Sequence, residues 1–129
     1  MTTSEAADLT ERIRATVNAY LAAVTSGRAA EVAALYADDA VLEDPVGSEA
    51  RVGRAAITDF YKGIEATENT TELITLRISG PNAAFHFRVT TKAGDRTYEI
   101  EPIDVMTFDD RGRITSMRAF WAPTDMVQR

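Results

Sequence analysis

A chain of 129 residues has the length of one ordinary domain, enough to bury roughly two-thirds of the surface it exposes when unfolded. Twenty acidic residues against fourteen basic ones give a formal net charge of -6, and no run of Lys or Arg forms a phosphate-tracking stripe, so nucleic acid is not an expected partner. The lack of cysteine removes disulfides, thiolate metal sites and thiol nucleophiles, and the single histidine, His86, removes any site that needs two.

The first twenty residues carry acidic side chains and no apolar run, which argues against a signal peptide or membrane span and for a cytoplasmic protein. Ile13, Val17, Tyr20, Leu21 and Val24 recur at helical spacing and Gly27 supplies a stop, predicting a first helix over about 8–25. Val32, Leu35 and Tyr36 predict a shorter second helix. The run 40–44 then becomes extended, and Pro45 holds Asp44 away from helical dihedrals, at a strand end or turn. Ile57, Phe60, Tyr61 and Ile64, spaced i, i+3, i+4, i+7, predict a third helix.

From residue 71 the period changes to two. Strands are expected at 71–79, through Phe85, Phe87, Val89 and Thr91, over about 96–108, and over about 113–122, with turns at 80–82, 93–95 and 109–112. Short links make neighbouring strands antiparallel. Helices first and a meander after is an α+β pattern, with the helices on one face of a curved sheet and a single domain spanning 1–129. Asn69-Thr70-Thr71 matches a glycosylation sequon, without consequence in the absence of a secretion signal.

Several residues break the pattern. In the third strand Tyr98, Ile100, Pro102, Asp104, Met106 and Phe108 share a face on which Asp104 is the only acid. A carboxylate among such neighbours loses hydration and is pushed toward its protonated form. The alternative is a bulge at Pro102 that turns Asp104 to solvent. Asp44 is either a simple Asp-Pro turn opener or an inward-facing acid in phase with Leu42. Tyr20, Tyr36 and Tyr61 fall on apolar helix faces, as core tyrosines do. Three converging phenols and a neutral carboxylic acid would also make a donor cluster for a developing oxyanion. Trp121, in phase with Met117 and Ala119, suits the core or the wall of an apolar pocket, as do Phe85 and Phe87. His86 is out of phase with the phenylalanines and is expected outside the site. The seven glycines form no phosphate-binding loop, which leaves nucleotide cofactors without support.

Glu43-Asp44-Pro45-x-Gly47, Gly53-Arg54 before Ile57 and Phe60-Tyr61, Ile103-Asp104-Val105-Met106 before Phe108-Asp109, Gly112-Arg113-Ile114 and Met117-x-Ala119-x-Trp121 together resemble the bacterial Δ5-3-ketosteroid isomerases of the NTF2-like (SnoaL-like) superfamily. The resemblance runs from about residue 12 to 122. It implies a cone-shaped fold: a curved, mixed or antiparallel sheet wrapped by three N-terminal helices around an apolar cavity, as a homodimer. By position it implies Asp44 as the general base, and Tyr20 with a protonated Asp104 as donors to the oxyanion. Tyr36 and Tyr61 would support Tyr20 from behind, and Phe87, Met117 and Trp121 would line the pocket. The family is a type case of an ionised base set beside an acid held neutral. The implied reaction moves the double bond of a 3-oxo-Δ5-steroid, a small apolar substrate, to Δ4 with no cofactor and no metal. A polyketide-cyclase-like enzyme working on another enolisable carbonyl, or a binding module for an apolar ligand, are the alternatives on the same fold.

Overall fold

The computed structural model describes residues 2–129. Helix α1 (Thr3–Ser26) starts earlier than the apolar periodicity suggests. Its first turns are solvent-exposed, so no buried stripe marks them, and the start is set by Thr2, whose side chain accepts from Glu5 N at 3.1 Å. It ends at Gly27, left-handed at φ 74°, whose N–H reaches Ala23 and Val24 carbonyls at 3.2 Å. Leu9, Ile13, Val17, Tyr20, Leu21 and Val24 form its buried stripe.

Helix α2 is only Ala29–Ala33. Tyr36, expected on this helix, instead opens strand β1 (Tyr36–Glu43). The reason is tertiary: the Leu35 carbonyl accepts from Ile114 N at 3.0 Å and Tyr36 pairs with Ile114 on a distant strand, which helical dihedrals would forbid. A two-residue strand β2 (Arg51–Val52) pairs antiparallel with β1. Helix α3 (Arg54–Tyr61) follows and tightens into a 3-10 segment, Lys62–Ala66, which carries Ile64.

The remaining chain holds six strands, β3 (Glu68–Ser79), β4 (Asn82–Ala93), β5 (Arg96–Ile100), β6 (Ile103–Phe108), β7 (Ile114–Phe120) and β8 (Val127–Gln128), with a 3-10 segment, Pro123–Asp125, between the last two. They join β1 and β2 in one sheet of order β2-β1-β7-β6-β4-β5-β8, with β3 on β4. The pairing is antiparallel except that β1 runs parallel to β7.

The span 96–108, expected as one strand, is two. Pro102 has no N–H to give a ladder, so pairing stops at Glu101-Pro102. The first half of β4 pairs with β6 and the second half with β5, and Phe87 N bridges the gap to the Pro102 carbonyl at 3.4 Å. The break does not reverse the faces. Ile103 is 47% exposed and Asp104 1% exposed, so the acid points inward.

The core lies between the helices and the inner sheet face, with Ile13, Val17, Val32, Leu42, Ile57, Met106, Ile114 and Met117 fully buried. At its closed end the β6–β7 turn is tied to α1. Thr16 donates to the Gly112 carbonyl at 2.8 Å, and a Cβ at Gly112 would stand 3.0 Å from the Arg12 Cβ, so only glycine permits the approach. Among the described residues no helix is long and apolar enough to cross a membrane.

Candidate active site

The inner sheet face and the helices leave a cavity of about 300 Å³, a size suited to a small molecule. Tyr20, Asp44, Tyr61, Phe87, Asp104 and Trp121 all line it, and none of the lining residues is a cation. Tyr36 stands behind Tyr61, outside the lining. Met117 is 1% exposed and packs in the core, while Ala119, two residues on and in the same phase, reaches the cavity wall.

Each polar group is positioned by an identifiable element. Tyr20 projects from the buried stripe of α1, edge-on to Tyr61 and Phe85 at centroid separations of 6.3 and 6.2 Å. Asp104 is held on β6 opposite Phe85 of β4 and Ala119 of β7. Asp44 follows the last residue of β1, in a bend pinned to β7 by Val46 N donating to the Ala119 carbonyl at 2.8 Å. The Asp44–Pro45 peptide is cis.

The three phenols form a chain with a direction. Tyr61 Oη donates to Tyr20 Oη at 3.4 Å, and Tyr36 and Tyr61 share a 2.6 Å hydrogen bond. A phenol has one proton, so if Tyr61 gives its own to Tyr20, Tyr36 must be the donor to Tyr61. Tyr20 then keeps its proton free of the other tyrosines. Burial raises all three phenols well above their ordinary range, so they are neutral donors at neutral pH.

The two aspartates differ. Asp44 accepts from Trp121 Nε1 at 2.7 Å; burial raises its carboxyl above the ordinary range, and the indole bond offsets only part of that rise. Burial, and then the charge of Asp44, hold Asp104 well above the usual carboxylate range, with the neighbouring Tyr20 hydroxyl opposing the shift. Asp104 Oδ2 is buried and has no hydrogen-bond partner among the described residues. An ionised carboxylate in that state is costly, whereas a protonated one has an O–H to offer to whatever occupies the cavity.

The cavity also takes residues that the sequence reading did not single out. Val24, Ile100 and Ala119 could have been found by phase, since they follow Tyr20, Asp104 and Trp121 at i+4, i−4 and i−2. Phe60 lies on the apolar stripe of α3 and Thr91 shares the phase of Phe87 and Val89, so both could have been found in the same way; Asn69 and Met126 also line the cavity, and nothing in their local sequence announces it. His86 stays outside, half-buried and 2.8 Å from Glu101 on the outer face.

Residues 17–117 match the family model described as a SnoaL-like domain. Over 119 residues, 92% of this chain and 97% of the relative, the sequence is 56% identical to a steroid Delta-isomerase of Nocardioides simplex. Solved structures that share the fold include the following two. One is the epoxide hydrolase/cyclase-like enzyme SalBIII, with a role in pyran ring formation in polyether salinomycin (TM-score 0.83, 28% identity, 91% of this chain and 95% of that one). The other is a Δ5-3-ketosteroid isomerase from Mycobacterium sp. (TM-score 0.82, 24% identity, 92% and 98%).

Proposed function

The chain belongs to the SnoaL-like family and, within it, to the steroid Δ-isomerases, and from that premise we propose that Asp44 is the base that carries one proton from C4 to C6 of a 3-oxo-Δ5-steroid, while Tyr20 and Asp104 hold the dienolate oxygen. Asp44 breaks the C–H bond alpha to the 3-carbonyl, and the electron pair moves through C3 onto oxygen. The same proton then bonds to C6 as the electrons return, which leaves a Δ4-3-ketone and an ionised Asp44. Nothing is oxidised or reduced, so the chemistry needs no cofactor.

The observation that carries this reading is the asymmetry of two carboxyls on one cation-free apolar cavity. One is held by an indole N–H; the other is buried beside the Tyr20 phenol with its Oδ2 left unpartnered among the described residues. Uncharged donors suit a substrate that starts neutral, because no cation need be desolvated before charge develops on the carbonyl oxygen. Trp121 serves as a positioning residue for Asp44, and Tyr36 and Tyr61 orient the Tyr20 hydroxyl. Phe87, Trp121, Ile100 and Val89 supply apolar wall for the ring skeleton. Met117 supports that wall from the core. A polyether-type substrate, as SalBIII's role suggests for that protein, would bring many more oxygens than this lining can satisfy.

The test is the gain of conjugated-enone absorbance when the protein meets a 3-oxo-Δ5-steroid. Asp44→Asn should lower kcat by at least about 10²- to 10⁴-fold while near-ultraviolet circular dichroism stays the same. No gain with the unmodified protein, or a gain undiminished in Asp44→Asn, would overturn the reading.

Self-association belongs to the outer face of the sheet. Ile103 and Phe120 are paired across β6 and β7 and are 47% and 42% exposed, and with Val127 they border one surface hollow. A second copy of the chain covers this patch in a homodimer, leaving the cavity on the opposite face free.

A further inference from the structure

The cavity has a second polar locus, and its hydrogen bonds have an unambiguous direction. Asn69, 7% exposed at the start of β3, directs its side-chain Nδ2 at the Ile64 carbonyl (3.2 Å), the Thr67 carbonyl (3.5 Å) and Thr67 Oγ1 (3.0 Å). Two of those partners are carbonyl oxygens, which can only accept. The amide orientation is therefore fixed, and Oδ1 is the atom that meets Thr91 Oγ1 at 2.9 Å. Thr91 must donate its one proton there, so its oxygen presents only lone pairs to the cavity it lines.

Thr91 lies far from the oxyanion donors. It is three inward steps along β4 from Phe85, the residue paired with Asp104, or about 20 Å of strand at about 3.3 Å per residue, shortened by the curvature of the sheet. A fused four-ring skeleton with its 3-oxygen at Tyr20 and Asp104 lays its other end toward Thr91. We propose that Thr91, oriented by Asn69, is an acceptor-only subsite that selects steroids carrying a hydroxyl rather than a ketone at carbon 17. A 17-hydroxyl donates to the Thr91 oxygen with the Asn69 bond intact. A 17-ketone is also an acceptor, so it either faces lone pairs or takes the Thr91 proton and strips buried Asn69 Oδ1 of its donor. This inference rests on the steroid isomerase reading and on the seating of the 3-oxo end at Asp104.

The experiment compares two 3-oxo-Δ5-steroids that differ only in a 17-hydroxyl or 17-ketone. The unmodified enzyme should favour the hydroxyl substrate by about tenfold in kcat/KM, carried by KM rather than kcat, the size of one net hydrogen bond. Thr91→Val, which keeps shape and removes the oxygen, should bring the ratio toward one, and Thr91→Ser should keep it. Equilibrium binding of phenolic steroids bearing either group should follow the same order, which gives a readout independent of turnover. Equal turnover of both substrates, a ketone preference, or a preference that survives Thr91→Val would each overturn the proposal while leaving the isomerase reading standing. Failure to isomerise either steroid would overturn both. Should Thr91→Val not fold, the ratio in the unmodified enzyme and in Thr91→Ser decides.

Discussion

The chemistry of this site turns on how unequally a small protein treats two aspartates. Asp104 is surrounded by apolar side chains on β6 and lacks a partner at Oδ2, so burial raises its carboxyl. The consequence for stability has a definite sign. Below the ordinary carboxylate range, near pH 3.9, both native and unfolded chains hold the proton. As pH rises from there to the raised native value, the unfolded chain ionises and the native chain does not, so folding loses stability across that window. Asp104→Asn removes this loss, and urea titrations at a series of pH values should show the variant gaining on the unmodified protein as pH rises through it. For Asp44 the group to change is Trp121, whose N–H offsets part of the rise that burial causes. Trp121→Phe should move the acid limb of the kcat/KM profile to higher pH, because an Asp44 without its donor stays protonated further up the scale. An acid limb that stays in place would remove Trp121 from its positioning role.

Among the elements, β6 and β7 carry the sharpest contrasts. The inward phase that singles out Asp104 survives a proline that ends one strand and lets another begin, because β4 runs past the break and pairs with the strands on both sides of it. Alternation along a strand is a local property and was legible in the sequence, as were Asp44 at the end of β1 and the stripe that carries Tyr20. The division of 96–108 at Pro102 was half-legible, since the missing N–H is visible but the partner that continues past it is not. Tyr36 misled because a five-residue helix has too little periodicity to show its end, and its strand partner Ile114 lies 78 residues away. Thr91 follows the inward phase of Phe87 and Val89, whereas Asn69 and Met126 reach the cavity only through long-range pairing and chain return. On β7, Met117 and Ala119 share a phase but not a role. Met117→Ala should cost about 2–5 kcal/mol in chemical unfolding, as for other large-to-small changes in a core. Ala119→Leu should instead fill cavity space, raising KM for the steroid with a smaller change in stability.

At the scale of the molecule, the sheet separates two kinds of surface. Its inner face carries the apolar cavity and its few directed hydrogen bonds; its outer face carries charge, with Arg88 among Glu72, Glu99 and Glu101, beside the exposed Ile103 and Phe120. Phe120→Glu places a charge in the patch assigned to self-association and should move the sedimentation coefficient from that of a dimer to that of a monomer. A dimer that persists unchanged would place the interface elsewhere. The acidic excess of the chain is mostly solvated charge spread over helices, turns and strands, and two of the twenty carboxylates carry the catalytic account. That account requires them to differ at the same pH, on the same cavity. The most direct measurement is carbon-13 NMR of the side-chain carboxyls, assigned with Asp44→Asn and Asp104→Asn and followed across pH. The account predicts Asp104 protonated and Asp44 ionised at neutral pH. Finding both ionised there would contradict it.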